Sequence, residues 1–205
     1  MTRPAAPVTV APSTRPRIPV QRFGERLERA QAGLARTGLG ALLVAVGPDL
    51  VYLAGYDAMP LERLTMLVVP ASGRAILLVP RLEAAPARAC PGAAGGHLDV
   101  LTWEETDDPV DRVASLVRGP DGAPSPGRAS GGRVGVSDRL WALHVLRLQR
   151  ALPGVDFGSA SVVLRDLRMV KDADEIELLR LAARAADRRR GPARSWGPAA
   201  IPRGG

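Results

Sequence analysis

Six consecutive apolar residues, Ala41–Val46, stand between Gly40 and Gly47. A strand with one wet face alternates apolar and polar residues. An unbroken apolar run bounded by glycine therefore predicts a strand buried on both faces, the kind found in sheets covered by helices. The flanking segments agree. From Gln21 onward Phe23, Leu27, Ala30 and Leu34 recur at helical spacing, with Arg22, Glu25, Arg26 and Arg29 on the opposite, solvent face, until Gly38 and Gly40 end the helix. Pro48-Asp49 opens a short helix through Leu50, Val51, Leu53 and Ala54 that closes at Gly55, and Tyr56–Arg63 is a polar, Pro-containing connection.

Leu64–Val69 and Arg74–Val79 are two apolar runs separated by Pro70–Gly73, which by spacing and turn chemistry predicts a hairpin. Each run ends in Val-Pro, suited to a strand end because proline cannot continue the ladder. Arg81–Ala89 is compatible with helix, Asp99–Glu104 with a strand, and Pro109–Val117 places Val110, Val113, Ala114 and Val117 at helical spacing. Gly119–Gly132 reads as a surface loop, Arg133–Ser137 as a strand, and Trp141, Val145, Leu148 and Leu152 as the apolar stripe of another helix. Asp156–Ser159 is a last short strand. Strand and helix alternate around one hairpin, which predicts an α/β fold: a mixed, largely parallel sheet flanked by helices.

The stretch Leu164–Asp187 ends in a helix with a marked start. Asp172 is the expected N-cap, and Glu175 sits three residues on, where each side chain satisfies an amide of the first turn. Its apolar residues form two faces, Ile176, Leu179 and Ala183 on one and Leu178, Leu181 and Ala185 on another, so partners on both sides are expected. After Asp187 the composition turns abruptly to Arg, Gly, Pro and Ala, and Gly191-Pro192 breaks the helix.

Charge argues against nucleic acid as a partner. The net charge is +7 and the pI near 11.0, but Arg3, Arg15 and Arg17 in residues 1–20 and Arg188, Arg189, Arg190, Arg194 and Arg203 in 188–205 carry it without any acid. Removing those tail arginines from the +7 leaves residues 21–187 slightly acidic. No run has the length of a membrane span and no signal peptide is visible, so no membrane partner is expected and the cytoplasm is the expected compartment. The single cysteine, Cys90, excludes an internal disulfide and reads as an inert thiol. His97, in Gly95-Gly96-His97, and His144, inside a helix, each lack a second ligand at a useful spacing. Asp107-Asp108 precede Pro109 and read as the cap of that helix. No Ser lies in a nucleophile elbow and no phosphate loop follows a strand.

Leu167-Arg168-Met169-Val170-Lys171, with Asp174-Glu175-Ile176 and Ala182-Ala183 after it, resembles the segment leading from the N-terminal into the catalytic domain of the creatinase/Xaa-Pro peptidase family of prolidases and proline-specific aminopeptidases. Ala41–Val46 followed by Val51-Tyr52-Leu53-Ala54-Gly55-Tyr56, the Val-Pro hairpin, Arg81-Leu82-Glu83 and Arg133-Val-Gly-Val136 extend the resemblance across residues 21–187. It implies a sheet of about six strands with helices on both faces, a ribonuclease H-like motif. For an intact relative it also implies hydrolysis of peptide bonds next to proline by two divalent metal ions (Mn, Co or Zn), held by two Asp, one His and two Glu of a C-terminal domain.

The expected organisation is then a disordered tail over 1–20, a creatinase-type N-terminal domain over 21–171, a linker helix to a missing catalytic domain over 172–187, and a disordered basic tail over 188–205, out of frame or otherwise foreign to the domain. This chain is expected to hold no catalytic residue, metal ligand or cofactor of its own. The resemblance implies that Tyr56, Glu62 and Arg63 help shape the substrate pocket of a partner subunit, Arg63 pairing with a substrate carboxylate; the alternative is that Glu62 and Arg63 only solubilise the approach to a strand. Expected partners are a second copy or a full-length relative, with proline-containing peptides only where a catalytic domain is present. A free-standing interaction module is the competing reading.

Overall fold

Residues 17–118 and 132–190 are described by the structure, a computed structural model. The expected tails up to residue 16 and from 191 on, and nearly all of the Gly119–Gly132 loop, lie outside the described residues. Pro19–Val170 forms one compact unit.

Its elements follow the sequence pattern. Helix α1 (Val20–Thr37) ends at Gly38, in the left-handed region. Strand β1 (Ala41–Ala45) is buried at every position. Helix α2 (Pro48–Ala54) opens on a proline and closes at left-handed Gly55. Strands β2 (Met66–Pro70) and β3 (Ala75–Pro80) form the predicted hairpin. A single 3-10 turn (Arg81–Glu83) leads into α3 (Ala84–Ala89), and a further turn of helix, α4 (Pro91–Ala94), precedes β4 (Leu98–Trp103). Then come α5 (Pro109–Arg118), β5 (Arg133–Val136), α6 (Ala142–Ala151), β6 (Asp156–Ser159) and α7 (Ser161–Met169).

The six strands lie in the order β4-β3-β2-β1-β5-β6. β2 pairs antiparallel with β1 and β3, and the other three pairings are parallel, so β2 alone runs against five strands. The mixed, largely parallel sheet is as the alternation predicts. Pleating sends neighbouring residues to opposite faces. Leu42, Val44, Leu67 and Val69 enter a core with α1, α2 and α7. Ala41, Leu43, Met66 and Val68 enter a second core with α5 and α6. Two cores sharing one strand explain the unbroken run. Each fully buried leucine there contributes on the order of 1.5–3 kcal/mol.

Three expectations need correction. Arg26, assigned to the solvent face of α1, is 2% exposed. Its guanidinium lies 4.1 Å from the Tyr52 ring centroid and 5.5 Å from that of Phe23, and its Nη1 donates to the Tyr52 carbonyl at 3.0 Å. That carbonyl lies in the last turn of α2, where no intrahelical donor reaches it. The stripe of α6 is also turned: His144 is buried with Leu148 and Leu152, whereas Trp141 is 45% exposed. Finally, α4 and α7 are helices that the sequence reading did not identify; Val163 and Leu164 of α7 pack into the first core.

The last described helix, α8 (Ala173–Arg190), has the reciprocal cap that the sequence predicts. The Asp172 amide donates to Glu175 Oε2 at 3.1 Å and the Glu175 amide to Asp172 Oδ1 at 2.8 Å. It runs to Arg190, beyond the expected boundary at Asp187. No described helix is long and apolar enough to cross a membrane.

Candidate functional site

Because five strands run one way, their C-terminal ends share one edge of the sheet with the start of β2. Open α/β sheets bind ligands outside the carboxyl ends of their strands. Here that edge receives the connection from Gly55 to Thr65, the Arg81–Glu83 turn after β3, Glu104 and Glu105 after β4, and Ser137–Trp141 after β5. The residues singled out from sequence, Tyr56, Glu62 and Arg63, all lie in the first of these segments.

Their surroundings differ sharply. Tyr56 is 5% exposed. Its hydroxyl donates to Glu83 Oε2 at 2.8 Å, and the Thr65 hydroxyl reaches the same oxygen at 3.4 Å. Burial first, then the hydrogen bond and the charge of Glu83, hold the phenol above its usual ionisation range. Tyr56 thus fastens the connection from inside. Glu62 is exposed. Arg63 is half-exposed and pairs through Nη2 with Glu105 Oε1 at 2.8 Å. The structure brings Arg63 to the cleft described next, with the Tyr56 side chain directed into the core instead.

That cleft, a small cavity of about 30 Å³, opens between the end of β1, the Pro60–Thr65 segment and the start of α6. Arg63, Arg139, Trp141 and His144 line it, with Pro60 and Leu61. The wall after β5 is held firmly: the Ala45 amide donates to Ser137 Oγ at 2.9 Å, the Ser137 amide to the Leu43 carbonyl at 3.0 Å, and the Leu140 amide to the Ser137 carbonyl at 3.0 Å. Gly47, at φ 147°, admits Arg139; a Cβ there would stand 2.9 Å from Arg139 Cδ. The His144 ring faces that of Trp141 at a centroid distance of 6.2 Å. Burial, then nearby Arg147, lowers the His144 pKa and keeps the imidazole neutral at pH 7. Arg147 itself pairs with Asp108 at 2.7 Å, and Asp108 caps α5 by accepting from the Val110 amide at 2.9 Å.

Sequence reasoning missed Arg139 and His144 as parts of this site. The pattern His144, Leu148, Leu152 marks the buried face as well as one that starts at Trp141, and choosing the latter hid the histidine. His97 lies on the other side of the sheet, against Gly24 of α1. Burial raises the Cys90 thiol, as its reading as an inert group requires. Among the described residues no group of three or more His, Cys, Asp or Glu could hold a metal ion. The donor set therefore does not fit the paired divalent ions that the resemblance implies for an intact relative.

The family profile of the creatinase/prolidase N-terminal domain matches residues 26–170. The chain belongs to this family. It is 41% identical over 172 residues to the protein named "Probable dipeptidase PepE" of Mycobacterium bovis, covering 84% of this chain and 43% of that one. Among solved structures it is similar to dipeptidase PepE from Mycobacterium ulcerans, with a TM-score of 0.72, 40% identity, and 84% and 43% of the two chains covered. The fold alone is shared with an N-terminal domain of Xaa-Pro dipeptidase from Lactobacillus brevis, at TM-score 0.58 and 18% identity, over 71% of this chain and 99% of that one. The chain spans less than half the length of the curated relatives it matches.

Proposed function

We propose that this chain is the non-catalytic N-terminal domain of an Xaa-Pro dipeptidase-like metallopeptidase that works in the cytoplasm. In the intact form, hydrolysis next to proline belongs to metal-binding residues of a further domain. One observation carries this reading: the 41% identity to a protein named a dipeptidase, over 84% of this chain but 43% of that protein. Within the domain, Glu62 and Arg63 supply polar groups on an exposed segment at the carboxyl edge of the sheet, where a partner subunit's pocket could use them. Tyr56 acts from within as the fastening of that segment.

The test joins residues 21–187 to the C-terminal half of the mycobacterial relative and assays cleavage of an Xaa-Pro dipeptide with Mn, Co or Zn. The expected result is a metal-dependent hydrolase whose KM rises on Arg63→Ala, while the 205-residue chain alone is inactive under the same conditions. Hydrolysis by the chain alone overturns the reading.

A second reading, pairing with another copy or a full-length relative, is favoured by exposed apolar side chains: Leu61 at 44% on the cleft wall, and Met59 at 71% and Leu143 at 58%, each next in the chain to a residue that lines it. Sedimentation equilibrium separates the two: a monomer at all concentrations removes self-association.

A further inference from the structure

The two edges of the sheet are built differently. β6 is four residues long, with Asp156 at its start and Gly158 inside it. So short and polar an edge gives a foreign strand little to pair with. β4 is six residues long, free of proline, apolar or β-branched apart from Asp99, and pairs with β3 at all six positions without a bulge. Among the described residues β3 is the only strand that bonds its backbone. Its outer side therefore carries a row of backbone donors and acceptors open to pairing. Charge does not guard this edge. Asp99 is paired with Arg74 at 2.8 Å, Glu104 with Arg81 at 2.9 Å and Glu105 with Arg63 at 2.8 Å, so each acid is balanced within the chain. Leu101, in the middle of the strand, is 39% exposed, although Leu78 opposite it on β3 is fully buried.

We infer that β4 pairs with β4 of a second copy, antiparallel about a two-fold axis at Leu101, so that two six-stranded sheets become one. The inference rests on the self-association reading above and names its surface. A two-fold axis perpendicular to the sheet makes the paired edges antiparallel and centres them on one residue. Centred on Leu101, the pairing sets Leu78, Leu101, the partner's Leu101 and the partner's Leu78 in one row across a face of the joined sheet. On the other face Val100 meets the partner's Thr102. Such cross-strand rows are the unit of sheet stabilisation. Centring on Val100 would set Leu101 against the partner's Asp99, and centring on Thr102 would set Asp99 against the partner's Glu105. Both ends of the strand are clear: exposed Gly95 and Gly96 precede it, and an open depression of about 560 Å³ lies at its far end. One edge is smaller than a standard interface of about 1,200–2,000 Å². The dimer is therefore weak, with a Kd of about 10–100 μM.

The experiment is sedimentation equilibrium of the full chain across that concentration range, repeated with Leu101→Lys. The lysine replaces an exposed side chain and places two like charges opposite each other, and it is expected to raise the Kd tenfold or more. Leu101→Cys, oxidised with diamide, reads the register directly. Directly opposite residues lie within the reach of a disulfide, so a covalent dimer is expected. The parent chain, whose single cysteine is buried, and Asp156→Cys on the opposite edge are expected to stay monomeric under the same oxidant. A monomer at all concentrations up to about 0.5 mM overturns both this inference and the self-association reading. A dimer that Leu101→Lys leaves intact, a missing Leu101→Cys cross-link, or an equal one from Asp156→Cys overturns the edge assignment and leaves self-association standing. Open-ended polymers overturn the two-fold pairing.

Discussion

Alanine at Gly55 should cost more than alanine at Gly38, although the two backbones are nearly the same. Both glycines close helices in the left-handed region, at φ 69° and ψ 22° for Gly38 and φ 70° and ψ 17° for Gly55. Each alanine therefore carries the same conformational penalty, about 1 kcal/mol. The surroundings differ. A Cβ at Gly38 meets nothing within 4 Å, whereas at Gly55 it would stand 2.8 Å from Pro91 Cδ, 2.9 Å from Pro91 Cγ and 3.0 Å from Phe23 Cε1. Two ring systems packed between α1, α2 and α4 cannot retreat cheaply, and overpacking of this kind adds about 1–3 kcal/mol. Gly38→Ala should then lose about 1 kcal/mol and Gly55→Ala about 2–4 kcal/mol. Urea unfolding of both variants measures this as a shift of midpoint at unchanged slope. A Gly55→Ala midpoint equal to that of Gly38→Ala would refute the claim that close approach, and not backbone conformation alone, selects glycine where the site's connection begins.

Tyr56→Phe removes the donor to Glu83 and leaves only the longer Thr65 contact; it should lower stability by about 1–2 kcal/mol in the same urea assay, and an unchanged midpoint would place the hydroxyl in solvent. For His144 the folded pKa lies below the unfolded value of about 6.5, so the unfolded chain binds the proton more readily. Its contribution is complete above the unfolded pKa and is lost as pH falls towards the folded one. His144→Gln should therefore lose less stability than the parent between about pH 7 and pH 5; parallel pH profiles would show that His144 titrates in the fold as it does in the unfolded chain.

The layout of the sheet was readable because one-dimensional pattern and three-dimensional layer coincide. Ala41–Ala45 is apolar throughout because both its faces have helices on them, and the hairpin is marked by its turn residues and closing prolines. The reciprocal cap at Asp172 and Glu175 is local chemistry within four residues, so sequence suffices for it. Depth was harder. Arg26 sits among polar neighbours on α1 and looks exposed; Tyr52, from another helix, helps make its burial tolerable by offering a ring face and a carbonyl at once. Periodicity cannot report a partner contributed by a distant element. His144 failed for a different reason: Leu148 and Leu152 are common to two stripes, and a tryptophan makes the wrong one look more apolar. Helix α7 was overlooked because its apolar residues merge with the motif that follows it.

The same distinction decides what the candidate site can do. The family resemblance drew attention to Tyr56, Glu62 and Arg63, but chemistry depends on what each side chain has already bonded. The Tyr56 hydroxyl is committed to Glu83, and Arg63 to Glu105. A ligand carboxylate at Arg63 must displace an existing carboxylate, so the net gain there is the difference between two similar pairs, and surface pairs contribute about 0–1 kcal/mol. Arg139 has no such competitor among the described residues, and His144 Nδ1 has none either.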